Sequence, residues 1–167
     1  MSKTVNIGMT SILVGDLAND GGPATALAAL GRTYKETASI TQEENQVQDF
    51  MVEEEDDPIV SITTQKGATS IVWDVVDFDP AIMVKIWGGA VVDGQWNEPD
   101  ELLEVEQTVK LTPKIGQPFI YNRCKLSAVL VYNATRTDIA RIRVTCKKLK
   151  PTKEGVPAFV YGTSTAA

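Results

Sequence analysis

The chain predicts a mainly β protein: a β-sandwich or partly closed barrel of two sheets with one flanking short α-helix, in a single domain over residues 1–167. Three observations carry this. Apolar and polar residues alternate through about eight separate segments, the period of half-buried strands. A single stretch, residues 80–87, changes to a helical period. At 167 residues and 43% hydrophobic content, the chain is long and apolar enough to bury a sizeable core. Many strands with one helix imply sheet packed on sheet, or a sheet curling toward closure.

Taken in order, residues 4–14 are strand-formers interrupted by Gly8, which predicts one broken or bulged strand. Residues 15–22 are rich in turn formers. Residues 24–30 (ATALAAL) favour a helical turn or an irregular segment. Residues 1–30 as a whole read as an N-terminal arm. The block from 33 to 89 organises the rest: strand-like runs at 33–41, 46–52, 59–64 and 69–76, with five acids, Glu53 to Asp57, and Pro58 among them. Gln65-Lys66-Gly67 reads as a turn, so the four runs predict two β-hairpins. Asp79 can cap orphan amides and Pro80 suits a first helical position. Ile82, Met83, Ile86 and Trp87 then share one helical face, and Gly88-Gly89 ends the helix. Residues 90–92 predict a short strand, and residues 93–100 a loop holding Trp96. Residues 104–112 and 139–149 alternate cleanly, the latter with Ile142, Val144 and Cys146 inward and Arg141, Arg143 and Lys147 outward. Residues 119–133 form one long run with a bend near 123–127. Residues 152–167 read as a C-terminal tail with a frayed end.

Chemistry is sparse. With no histidine, triads, the commonest general base and the usual zinc ligand are all missing. Two cysteines 22 residues apart form no metal motif, and each reads as a buried reduced thiol rather than half of a disulfide. Neither Gly pair has the lysine and spacing of a phosphate loop. Glu53 to Asp57 reads as a solvated turn rather than a tuned carboxylate pair, and it lacks the spacing of a calcium loop. No cofactor is implied. No run reaches the roughly 18 apolar residues of a membrane span, and no N-terminal stretch reads as a signal peptide, so a soluble protein from a reducing compartment is expected.

Charge is divided along the chain. Residues 1–104 hold 19 of the 22 acids and 5 of the 16 bases, while residues 105–167 hold the other 3 acids and 11 bases. The halves either neutralise each other internally or support head-to-tail association, which generates rings or filaments. The candidate contact residues are Glu43, Glu44, Glu53, Glu54, Glu55, Asp56 and Asp57 on the acidic side. Arg141, Arg143, Lys147 and Lys148 are their candidates on the basic side. The rival reading puts the same acids along the wall of a channel, touching no protein.

The run Gly31 to Thr41, the acidic Glu53 to Asp57 with Pro58-Ile59, Trp73 to Pro80 with Gly88-Gly89, and the close Lys148-Leu149-Lys150-Pro151 resemble tail tube proteins of tailed bacteriophages. The resemblance covers residues 30–151. It implies a two-sheet sandwich with a flanking helix, assembled as hexameric rings that stack into a hollow tube for genome delivery. It implies further partners among tail proteins (tape measure, tail terminator, baseplate or sheath) and a place in the virion tail after synthesis in the host cytoplasm. DNA would pass an acidic lumen without specific binding. Inner-tube subunits of type VI secretion and contractile injection systems are similar in fold and are the near alternative. A non-enzymatic β-sandwich binding module is the competitor from another class, and an enzyme comes third. A binding module should expose aromatics on one sheet face, whereas Trp73 and Trp87 fall at expected core positions.

Overall fold

The computed structural model describes residues 3–163. In chain order the elements are β1 (Ser11–Asp16), β2 (Ala28–Ala29), β3 (Ser39–Gln42), β4 (Gln46–Phe50), β5 (Val60–Gln65) and β6 (Thr69–Val75). Helix α1 (Pro80–Trp87) follows, then β7 (Ala90–Val92), β8 (Gln95–Asn97), β9 (Val105–Thr112), β10 (Phe119–Val131), β11 (Arg141–Lys148) and β12 (Phe159–Tyr161). The main sheet runs β2-β1-β9-β10-β11-β6-β3, with β12 added to β10; β4-β5 and β7-β8 are two-stranded sheets. The fold is therefore mainly β with sandwich-like sheets and one short helix, as the alternation predicts. No barrel closes among the described residues, because the ends of the main sheet, β2 and β3, do not pair with each other.

β10 is the spine. Its residues 119–121 pair with β12 and β9, and its residues 124–131 pair with β11. Between Tyr121 and Cys124 the register against β9 slips by one residue. Such a bulge bends and twists a strand, and it falls where the partner of β10 changes from β12 to β11. The expected bend at 123–127 is thus a bulge slightly earlier in the chain. The inward positions of the sheet converge on one core: Ile12 and Val14, Val109 and Leu111, Tyr121, Cys124 and Leu126, Ile142, Val144 and Cys146, and Ile71, Trp73 and Val75. Cys124 and Cys146 are free and buried, and burial pushes the Cys124 thiol up to about 12 and Cys146 higher still. Both are held as thiols.

α1 caps this core as its sequence predicts. The Asp79 side chain accepts from the Ala81 N–H at 2.9 Å, Pro80 opens the helix, and Gly88 ends it at a φ of 78°. Ile86 is buried, and Ile82 and Trp87 pack partly against the core.

Several expectations need correction. Residues 33–76 make one long ribbon rather than two hairpins: β3 pairs with β6, β4 with β5, and the Glu43 N–H reaches the Ala68 carbonyl between them. Gly67 is not a turn but a close crossing, where a Cβ would stand 1.8 Å from the Glu43 carbonyl oxygen. Residues 33–38 do not continue β3. Thr33 bridges Val75 and Ser39 pairs with Val72, so six residues advance against three. The excess loops out through Glu36 at a φ of 64°, held by the Thr37 hydroxyl, which donates to the Tyr34 carbonyl and accepts from the Asp74 N–H. Residues 93–100 begin with a hairpin turn rather than a loop: Asp93 and Gly94 both have positive φ, the two-residue turn that Asp-Gly favours. Trp96 therefore lies in β8, its indole N–H on the Gly88 carbonyl at 2.8 Å. Finally, residues 24–30 hold no helical turn: they are irregular, as the alternative had it, except for the two-residue β2 at Ala28–Ala29, and the tail supplies β12. The expected frayed end falls on residues 164–167, outside the described residues.

Candidate functional site

The ribbon leaves the body where β6 begins, beside Lys147 of β11, and β4 and β5 carry it outward. Every residue of both strands is exposed. From residue 43 to residue 52 an extended chain reaches about 30 Å. The two faces of this arm differ. Phe50 opposite Val60 and Gln48 opposite Ile62 share one face; Val47 opposite Thr63 and Asp49 opposite Ser61 share the other, where the Ser61 hydroxyl donates to the Asp49 carboxylate at 2.6 Å. Phe50 is 48% exposed, Val60 47% and Ile62 50%. A two-stranded ribbon alone is marginal in water, and among the described residues nothing covers its apolar face.

At the far end lie Glu53, Glu54, Glu55, Asp56 and Asp57, all exposed; Glu43 and Glu44 lie exposed at the root. None of these seven carboxylates has an ion-pair partner among the described residues. The sequence brings Glu53 to Asp57 together simply by adjacency, in a loop that solvent surrounds.

The basic candidates all lie on β11 but are not equivalent: Arg141, Arg143 and Lys147 take outward positions, and Lys148, opposite Cys124, takes an inward one at the strand's end. Arg143 stands directly opposite Asp74 in the register with β6, and its Nε donates to Asp74 Oδ1 at 3.2 Å. The Arg141 Nε lies 2.9 Å from Asp74 Oδ2, off the line of its N–H, so that contact is a charge pair rather than a hydrogen bond. Arg141 also reaches Asp138 and covers the Tyr34 ring at 5.3 Å. Asp74, at 2% exposure, is thus the buried hub of two arginines, and sequence reasoning missed it. Its signal was a carboxylate at an outward strand position, which needs a cationic neighbour once the sheet covers it. Lys147 is exposed and Lys148 half-buried at the other end of β11, and neither has an ion-pair partner among the described residues. The structure brings Arg141 and Arg143 together on Asp74, sets Lys147 and Lys148 on opposite faces of β11, and pairs none of the arm's acids with any of the four. Among the described residues, no three Cys, Asp or Glu side chains gather closely enough to hold a metal ion.

The class that fold and surface define is a mainly β protein carrying an uncovered, acid-tipped arm. No family model and no curated protein matches the chain. Among solved structures it is similar to the sheath/tube terminator of an extracellular contractile injection system (PVC) in its extended state. The TM-score is 0.44 and the identity 11%, over 97% of this chain and 100% of that one. At that score the likeness is faint and carries no functional inference.

Proposed function

We propose that this chain is the structural subunit of a bacteriophage tail tube, assembling into stacked hexameric rings that conduct the genome; an inner-tube subunit of a contractile injection system is the close alternative. The observation that carries this reading is the arm. A ribbon with Phe50, Val60 and Ile62 on one uncovered face is a template for another chain, and natural proteins cover or blunt such surfaces. A second copy is the occupant that removes it, and a repeated contact between unlike surfaces closes into rings or propagates as a filament. The free edge of β3 is available to the same end.

The acidic tip is assigned to the basic surface of a neighbouring copy. Lys147, Lys148 and the half-exposed Arg143 are its natural partners, and Arg141, engaged by Asp74 and Asp138, contributes field more than contact. Negative-stain microscopy and mass measurement of the full chain test the proposal. Six-fold rings or tubes are expected; a chain that stays monomeric, or forms only open dimers, under every condition of salt and concentration rejects it.

A further inference from the structure

Away from the arm, the two ends of β9 carry surfaces that complement each other. At the Val105 end, the loop of residues 98–104 stands over a cleft of about 460 Å³ whose floor includes Trp87, Leu103, Leu126 and Ala128. The floor is apolar because its polar atoms are satisfied internally. The Trp87 indole N–H donates to the Ala128 carbonyl, and Trp96 packs on Trp87 with ring centroids 5.6 Å apart and planes tilted by 34°. The rim carries Glu98, Asp100 and Glu101, all exposed and without ion-pair partners among the described residues, and Leu102 stands 97% exposed.

At the Thr112 end, Lys114 and Ile115 project from the turn into β10, bridged to Ile7 through reciprocal backbone bonds of 2.9 and 3.1 Å. Asn6 Oδ1 accepts from both the Gln117 N–H and the Tyr161 hydroxyl. Gly116, at a φ of 120°, admits this packing, since a Cβ there would meet Asn6 Oδ1 at 1.8 Å. The knob is therefore tied at Ile7, Ile115 and Gln117 by backbone hydrogen bonds, with Val5, Ile7 and Ile115 left exposed. Among the described residues its flanking charges are basic, Lys3 and Lys114, and β9, eight residues long, holds it about 25 Å from the cleft.

We propose that the cleft under the 98–104 loop of one copy seats the Lys114–Ile115 turn of the next. An apolar cleft with an acidic rim matches an apolar knob with basic flanks. Because the two lie at opposite ends of one strand, the contact is heterologous and propagates head to tail. A preformed knob loses little freedom on docking, and the opposed charges set its orientation more than its strength. The inference rests on the self-assembly reading but uses none of the residues of the arm.

The full chain and five variants test it. Leu102→Asp and Ile115→Asp, both at exposed sites and checked for fold by circular dichroism, are each expected to raise the concentration needed for assembly by roughly tenfold or more, the effect of losing one buried aliphatic contact. Lys114→Glu is expected to weaken assembly, and adding Glu101→Lys to restore it. A Leu102→Cys/Ile115→Cys double variant, mildly oxidised, is expected to give a ladder of linked copies, the two sites being too far apart to join within one chain. If tubes form from the parent and all variants assemble at the parental concentration without a ladder, this contact is wrong and the tube reading survives. If the ladder forms in a chain that never makes rings, the contact stands and the tube reading falls. Neither ladder nor assembly rejects both.

Discussion

β5 and β6 are one stretch of chain interrupted only around Gly67, yet their environments are opposite. Ile71, Trp73 and Val75 of β6 are buried, while Val60 and Ile62 of β5 stand half in water. Both alternate, and both pair with antiparallel neighbours. The difference is what covers the face: the inward residues of β6 belong to the one core cluster, and among the described residues nothing covers those of β5. Alternation thus reports which residues share a face, while burial depends on whether another layer covers that face.

The sharpest way to break this comparison is to truncate matched aromatics. Trp73→Ala, at 1% exposure, is expected to cost roughly 3–5 kcal/mol and to lower Tm by calorimetry. Phe50→Ala on the arm should stay within about 0.5 kcal/mol of the parent, as for other surface changes. Equal losses would mean that the arm folds back onto the body.

A smaller effect attaches to the Asp74 hub between β6 and β11. Asp74→Ala leaves Arg141 half-buried without its main partner and is expected to cost about 2–3 kcal/mol, below the figure for wholly buried pairs because Arg143 is half-exposed. Urea unfolding reads it, and a parental midpoint would make the arginines free for a neighbour.

Acid comes next. Hydrogen bonds from Arg123 hold the Glu106 carboxyl below its ordinary 4.5. A depressed folded-state pKa contributes stability that is complete above the unfolded value and is lost as pH falls through the folded one. Denaturant midpoints should therefore decline below pH 4.5, and Arg123→Gln should make the decline shallower by at most about 1 kcal/mol. An unchanged slope would assign the acid limb to other carboxylates.

The smallest effect on folding falls on the arm tip. Reversing Glu53, Glu54 and Glu55 to lysine should leave unfolding within about 0.5 kcal/mol of the parent while abolishing polymerisation or making it depend on salt, since such pairs are screened over about 8 Å at physiological strength. Normal tubes at low salt that now retain DNA would place these acids on the channel wall instead.

Much was legible in the residues alone. The mainly β class, the Asp79–Pro80 start and Gly88 stop of α1, the inward set Ile142, Val144 and Cys146, and the acidic turn at 53–57 all follow from local rules of period, capping and turn chemistry. Asp93-Gly94 obeys such a rule too, and its hairpin was there to be read. What only the tertiary structure decided is long-range. Gly67 looks like a turn until Glu43, distant in sequence, presses against it, and then the ribbon runs straight on. Residues 33–38 alternate like a strand, but Val75 and Val72 already have their partners in Thr33 and Ser39, so the extra residues must loop out. Asp74 became an arginine hub only when β6 met β11. The arm and the cleft under residues 98–104 were equally invisible, because period records the neighbours a residue has along the chain, and exposure depends on the neighbours that chain folding brings or fails to bring.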